Sequence, residues 1–174
     1  NCGSEESRHD GVHTFYVGKN AKVRYAEKHF GGGDGTGGKN MNPATVINIA
    51  DGGYMEMETT QIEGIDSTKR ITKARVTDNG TLIIREKLMT HGVQRAETDF
   101  TVDLDGENSS ANVISRSVAK ENSYQLFLSR INGNNICTGH TECDAIIMDN
   151  AKVSAVPEIT AKHIDASLIH EAAI

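Results

Sequence analysis

The chain has 174 residues and a mass of 18.8 kDa, the size of a single domain, and with 5% aromatic residues and no Trp it predicts no core of large aromatic side chains. Its net charge of −6 and pI of about 5.6 argue against a nucleic-acid-binding protein and against a polybasic membrane-surface protein. The longest apolar run is the short stretch 145–148, whereas a membrane-spanning helix needs ~20 apolar positions.

Most of the chain is predicted to form short strands separated by turns, because β-branched and apolar residues recur in short runs, several of which alternate with polar residues. Phe100, Val102 and Leu104 show this alternation clearly. The best helical candidate, 159–170, is too rich in Thr, Ser and Asp to support a helix. In chain order the predicted strands span 22–25, 45–49, 54–58, 71–76, 81–84, 99–104, 110–114, 124–128 and 144–148.

Turn signals recur at a nearly constant spacing. The pairs Asn79-Gly80, Asp105-Gly106 and Asn132-Gly133 follow one another at intervals of twenty-six and then twenty-seven positions. Such a period is typical of a solenoid, although an antiparallel sandwich accounts for the strand spacing about as well. Few aromatics and many Thr, Ser and Asn residues favour a β-solenoid, whose narrow interior suits Val, Ile, Leu and Ala. We therefore predict one all-β domain over 1–174.

A glycine-rich segment interrupts the strand pattern. The segment 31–40 contains six glycines and is predicted to form a mobile surface loop. Positions 33–39 match the glycines and the lysine of a phosphate-binding loop. Asn40 stands where that loop has Ser or Thr, however, and Pro43 would stop the helix that must follow. We therefore predict that this chain binds no nucleotide.

The C-terminal third concentrates residues that could carry chemistry. Cys137, His140 and Cys143 lie close together in the sequence, and His170-Glu171 begins one turn-signal interval after Cys143. If that interval is the length of a coil, Cys143 and His170 would occupy equivalent places on strands ~4.8 Å apart. Thiolate, imidazole and carboxylate on one face suit iron, zinc or a persulfide relay. The alternative is that these cysteines are simply buried as small apolar side chains.

Cysteine usage indicates a reducing compartment. Cys2, Cys137 and Cys143 are too few and too unevenly placed for a secreted disulfide framework, which favours a cytoplasmic protein with free thiols. The chain also lacks an initiator Met, so we expect it to be part of a longer polypeptide.

Four short blocks near the C-terminal end follow a characteristic order and spacing. They are Gln-Leu-Phe-Leu-Ser-Arg at 125–130, Thr-Glu-Cys-Asp at 141–144, Val-Pro-Glu-Ile at 156–159 and His-Glu-Ala-Ala at 170–173. These blocks resemble the SufB/SufD family, the scaffold proteins of the Suf iron–sulfur cluster assembly system, and the stretches 11–16 and 21–25 resemble its shorter SufD-like members.

The resemblance implies a right-handed parallel β-helix and a scaffold that is not itself an enzyme. It further implies partners: a second SufB- or SufD-like subunit, and a SufC-type ABC ATPase carried on C-terminal helices that would follow this chain. A transient iron–sulfur cluster would be built, or iron would be held, at the interface of the two β-helices. No nucleic-acid or membrane partner is implied.

Site residues follow from the same resemblance. Cys143 matches a cysteine proposed as sulfur acceptor and cluster ligand, His170 a histidine proposed as iron ligand, and Glu171 the acidic residue after it. These three are the predicted metal and cluster ligands. Cys137 and His140 have no counterpart in the family and are added only as further candidates for the metal site.

Two other interpretations stay open from the sequence. One is a structural or binding β-solenoid without metal chemistry. The other is a carbohydrate-active enzyme on a β-helix, which the low number of aromatic residues supports poorly. For the scaffold, the SufB-like residues Cys143 and Glu171 beside the SufD-like block 156–159 favour a homodimer. We expect dimerisation to cover at least one exposed end of the solenoid.

Overall fold

A computed structural model describes residues 7–31 and 38–174 of the chain. The loop predicted at 31–40 falls largely on residues 32–37, which lie outside the described residues. In the described ranges no helix is long and apolar enough to span a membrane.

Fourteen strands account for almost all of the described chain, and all of the paired strands are parallel. They are β1 (Ser7–His9), β2 (Val12–Val17), β3 (Lys22–Phe30), β4 (Lys39–Met41), β5 (Ala44–Ile49), β6 (Tyr54–Glu63), β7 (Ser67–Val76), β8 (Thr81–Thr90), β9 (Arg95–Leu104), β10 (Ser109–Ala119), β11 (Tyr124–Gly133), β12 (Cys137–Ile147), β13 (Lys152–Ala161) and β14 (Ser167–Ala173).

The strands stack as a β-solenoid, which confirms the predicted fold class. One sheet has the order β14-β12-β10-β8-β6-β3, so each of its six strands belongs to a different coil. The second sheet runs β1-β4-β7-β9-β11-β13, with β2 and β5 completing the first two coils. From β5 onward, successive strands alternate between the sheets, and each strand lies on the equivalent strand of the preceding coil. All-parallel pairing excludes the antiparallel sandwich.

The coil is slightly longer than the turn signals indicated. Ser109 pairs with Cys137 and Thr138 with Ser167, which are offsets of twenty-eight and twenty-nine positions. The pair Asn79-Gly80 does form a turn, but Asn132-Gly133 ends strand β11 and is not a turn. The dipeptides therefore do not occupy equivalent positions on successive coils, and their spacing underestimates the length of a coil.

Most corners of the solenoid use one residue in the left-handed conformation, which reverses the chain tightly. Asn and Asp tolerate this conformation better than other residues that carry a Cβ atom. Asn20, Asn79 and Asn108 recur on one corner and Glu121 and Asp149 on the other, all with φ between 55° and 60°. These left-handed residues mark the corners, and of the three turn dipeptides in the sequence only Asn79-Gly80 contains one of them.

The interior divides into an apolar and a polar half. The apolar half contains the expected Val, Ile, Leu and Ala side chains together with Met and Phe. The interior has room for two aromatic rings, since Phe100 packs against Phe127 at a ring separation of 5.9 Å. The polar half was not expected from the sequence. It buries Arg70 and Glu86 together with several threonines and serines.

Candidate functional site

The last two coils bring together most of the predicted site residues. In strand β12, Thr141 and Cys143 are buried, while the alternate positions His140 and Glu142 lie on the outer face. Strand β14 lies beside β12 and alternates in the same way. The period of two residues thus divides the predicted ligands between the inside and the outside of the solenoid.

Cys143 faces the interior and is only 1% exposed. Its neighbours in the register are Ser115 on β10 and Ala172 on β14. Burial, and then the negative charges of Glu86 and Asp144, raise the pKa of the Cys143 thiol to about 11. In this conformation Cys143 is a protonated thiol at neutral pH, and it must be uncovered to act as a nucleophile or a metal ligand.

His170 also lies on the inner face, but opposite Thr141 rather than Cys143. The expectation that Cys143 and His170 are equivalent on successive coils is therefore wrong by two positions, because the coil is longer here than the turn signals indicated. With strands ~4.8 Å apart and a rise of ~3.3 Å per residue, their Cα atoms are roughly 8 Å apart on the diagonal. The Nδ1 atom of His170 is buried and has no hydrogen-bond partner among the described residues.

Glu171 points away from both of these residues. It lies opposite Glu142 on the outer face, and its Oε2 atom is 3.5 Å from Nε2 of His140. One ligand atom from each of His140, Glu142 and Glu171 lies within 4.8 Å of the other two, a spacing that could hold a metal ion. His140 thus gains a geometric reason to belong to a metal site, whereas Glu142 was missed in the sequence.

Charged neighbours surround this outer group. The Nη2 atom of Arg116 lies 3.2 Å from Oε1 of Glu142, and its Nε atom lies 3.7 Å from Oδ2 of Asp144. A hydrogen bond with Glu142, together with desolvation and the charge of Glu142, raises the pKa of Asp144. The outer face is therefore crowded with carboxylates that one guanidinium only partly compensates.

Cys137 belongs to the core. It is 3% exposed, is part of the apolar half of the interior and packs close to Gly133. Burial, the main cause, raises the pKa of its thiol. The structure thus places Cys137 with the apolar side chains and away from the outer group that contains His140.

A buried polar network begins at Cys143 and extends toward the first coil. Cys143, Ser115, Glu86, Thr59 and Glu27 occupy one register column along the inner face. Ser115 Oγ donates a hydrogen bond of 2.9 Å to Glu86, whose other carboxylate oxygen accepts one from Thr98 Oγ1 at 2.9 Å.

Arg70 faces this column from the other sheet. Its guanidinium lies 3.8 Å from Glu86 and 3.5 Å from Glu27, and Glu27 in turn contacts His29 Nε2 at 2.6 Å. Burial opposes ionisation of Glu27, but the hydrogen bond with His29 and the charges of His29 and Arg70 outweigh it and lower the pKa of Glu27. The signal available in the sequence was the repetition of polar residues at inward positions with coil spacing.

Comparison with known proteins identifies the family. The family model for "SUF system FeS cluster assembly, SufBD core domain" matches residues 1–174. An iron–sulfur cluster assembly SufBD family protein of Methanocaldococcus jannaschii is 30% identical over 161 residues, which cover 91% of this chain and 50% of that protein. Similar proteins occur in Archaeoglobus fulgidus, with 27% identity over 167 residues, and in Methanothermobacter thermautotrophicus strain Winter, with 25% over 170 residues.

The two latter alignments cover 95% of this chain but 44% and 40% of the relatives. The chain thus spans half or less of the length of these curated relatives. The match of the family model, in contrast, extends over every residue, and the parallel β-solenoid agrees with the fold that the sequence resemblance implied. The chain belongs to the SufBD family of the Suf iron–sulfur cluster assembly system.

Proposed function

We propose that this chain is the β-helix core of a scaffold on which a nascent iron–sulfur cluster is built or held. The observation that carries the proposal is the match of the SufBD core domain to all 174 residues. The scaffold itself catalyses no turnover. It works in the cytoplasm with a SufC-type ABC ATPase and a second SufB- or SufD-like subunit, and the cluster or its iron is transient cargo.

Cys143 and His170 are the proposed cluster ligands on the inner face. A thiolate and an imidazole are established ligands of iron–sulfur centres. The buried Nδ1 atom of His170 has no protein partner among the described residues, which leaves that lone pair or proton available for a ligand. Because the thiol of Cys143 is buried and protonated, we propose that the ligands are uncovered when the last two coils separate or shift.

Glu171 is the third proposed ligand, but it lies on the opposite face of β14 from His170. The three residues cannot therefore meet at one ion while both strands keep their present faces. Either strand β14 moves on assembly, or Glu171 binds iron separately before it reaches the thiol. Cys137 has no part in this proposal because it belongs to the apolar core.

The test is anaerobic co-purification of the full-length protein with the SufC-type ATPase of its own organism, followed by cluster reconstitution. We expect a stable complex, and we expect Cys143→Ser and His170→Ala to abolish cluster formation while the fold is retained. Matched controls are Cys137→Ser, a buried thiol outside the site, and His163→Ala, a histidine of the last coil whose ring contacts Asp165.

Two results would contradict the proposal. The first is the absence of any complex when the C-terminal region is present, which would favour a stand-alone β-solenoid. The second is normal cluster formation by both site variants, which would remove Cys143 and His170 from the site while leaving the family assignment intact.

A further inference from the structure

The outer face of the last two coils carries a group of side chains with a distinct chemistry. His140 and Glu142 from β12 and Glu171 from β14 place three nitrogen and oxygen donors within 4.8 Å of one another. No thiol takes part in this described group, because Cys143 points to the other side of β12. An imidazole with two carboxylates suits a divalent first-row metal such as iron(II) or manganese(II) rather than a soft, thiolate-preferring ion.

A residue outside the group orients the imidazole. The Nδ1 atom of His140 lies 3.2 Å from Oδ1 of Asn112 on β10. The amide oxygen of Asn112 accepts hydrogen bonds, and when Nδ1 of His140 donates to it, the lone pair of Nε2 faces Glu171. Metal-binding histidines are commonly held in this way, with the distal nitrogen bonded to a fixed acceptor.

Two contacts bring the donor atoms of this group together. Nε2 of His140 and Oε2 of Glu171 are 3.5 Å apart. Glu142 and Glu171 are also directly opposite each other in the register, an arrangement that destabilises adjacent strands when both carry charge. A divalent ion held by the three side chains would offset the repulsion between these two carboxylates.

The local charge agrees with a divalent ion. Glu142, Asp144 and Glu171 contribute three negative charges, and Arg116, which contacts Glu142 and Asp144, contributes one positive charge. The excess of two negative charges equals the charge of one divalent cation.

We propose that His140, Glu142 and Glu171 form a divalent-metal site on the outer face of the solenoid, in which Asn112 orients the imidazole of His140. The metal site stands without the proposed function. Its identification as an iron(II) site, which would load iron separately from the thiol of Cys143, rests on that function. Glu142 and Glu171 thus gain a role that does not require either to reach the interior.

The experiment uses the full-length protein under anaerobic conditions and iron(II) alone, followed by cobalt(II) as a spectroscopic probe. Equilibrium dialysis with metal analysis is expected to show one tight iron(II) per chain. His140→Ala and Glu171→Gln should each weaken binding by about tenfold or more, and Asn112→Ala by about tenfold through the orientation of His140. The absorption spectrum of the cobalt(II) form should show weak ligand-field bands and lack the intense sulfur-to-metal charge-transfer band that a thiolate ligand would add.

His163→Ala is the matched control, since this histidine also lies in the last coil, and it should bind iron(II) as the parent protein does. Unchanged binding in His140→Ala, or loss of the tight ion in Cys143→Ser with thiolate absorption in the cobalt form, would overturn the site. If iron(II) binds through the triad but no cluster or ATPase complex forms, the metal site stands and the proposed function fails.

Discussion

The thiol of Cys143 combines burial with two acidic neighbours, which makes its ionisation the most strongly shifted feature of the site. We predict that alkylation by iodoacetamide is slow at neutral pH and accelerates toward pH 11, because the thiolate is the nucleophile and the pKa is about 11. Glu86→Gln should bring this pKa closer to its usual range and speed alkylation several-fold, since it removes a buried negative charge. Mass spectrometry of a protein whose only cysteine is Cys143 measures the rate.

Glu97→Gln is the control. Glu97 and its partner Lys69, which are 3.1 Å apart, both lie in the sheet that does not contain Cys143, and Glu97 is not among the groups that raise the pKa of Cys143. Equal alkylation rates in Glu86→Gln and in the parent would show that Glu86 does not act on this thiol.

The raised pKa of Cys143 also makes the stability of the fold depend on pH. The unfolded thiol ionises near pH 9 and the folded thiol near pH 11, so stability should fall as pH rises through this interval, and less so in Cys143→Ala.

Arg70 holds together the buried ionic part of the polar network. It is 2% exposed and lies between the carboxylates of Glu27 and Glu86. Arg70→Gln leaves two buried carboxylates without their cation, so we predict a loss of about 3–5 kcal/mol in the free energy of unfolding. Denaturant titration measures it.

Arg75→Gln provides the comparison, since Arg75 lies on the same strand, β7, and pairs with Asp105 at 2.5 Å on the solvent-exposed face. Breaking that exposed pair should cost less than about 1 kcal/mol. Similar losses for the two variants would mean that the interior network contributes no more than a surface pair does.

At the scale of the element, the corners determine whether successive coils can stack. A Cβ atom on Gly106 would overlap the backbone of Thr77 and Asp78 in the preceding coil. Gly106→Ala must therefore push the two coils apart, and we predict a loss of about 1–3 kcal/mol or more in the free energy of unfolding. Thermal unfolding followed by circular dichroism measures the change.

Gly18→Ala is the matched substitution, because a Cβ atom there meets nothing within 4 Å. It should be tolerated with little change in the melting temperature. An equally stable Gly106→Ala variant would show that the corner relaxes without separating the coils.

The sequence predicted most strands but not their full lengths. Strands were predicted at 81–84 and 124–128, whereas β8 continues to Thr90 and β11 to Gly133. The extension of β8 enters the polar half of the interior, where buried Glu86 and Thr90 conceal the alternation of apolar and polar residues. The extension of β11 stays in the apolar half, but its inward positions include Ser129 and Gly133, which interrupt the apolar pattern. Five strands were not predicted, because they are only three residues long (β1 and β4) or bury few of their side chains (β2, β13 and β14).

The coil length limited the prediction of the site. The sequence brought Cys143, His170 and Glu171 into neighbouring coils, and the structure places them in the last two. A coil length that is wrong by two residues leaves each side chain on its face but moves it along the strand, which separates His170 from Cys143. Adjacent residues of one strand face opposite sides, so His170-Glu171 could never act from one face without a distortion of β14.

At the scale of the whole molecule, the two sheets share one interior whose polar half leads from the first coil to Cys143. The last described coil, formed by β13 and β14, carries several exposed apolar side chains on its corner and its outer face. Ile164 in that corner is 95% exposed, and Ile169 and Val156 on the strands are more than half exposed. Exposed apolar side chains that lie close together mark a surface that binds a partner.

We therefore predict that the full-length protein is a dimer whose interface includes the last coil described here. Ile164→Glu should raise the dissociation constant by about tenfold or more, since a carboxylate would be buried against apolar surface. Sedimentation velocity over a range of concentrations measures the change. Val93→Glu is the control, because Val93 is 81% exposed in a corner of the middle coils. A monomer mass that does not depend on concentration would contradict the dimer, and an equal effect of Val93→Glu would show that the interface does not include the last described coil.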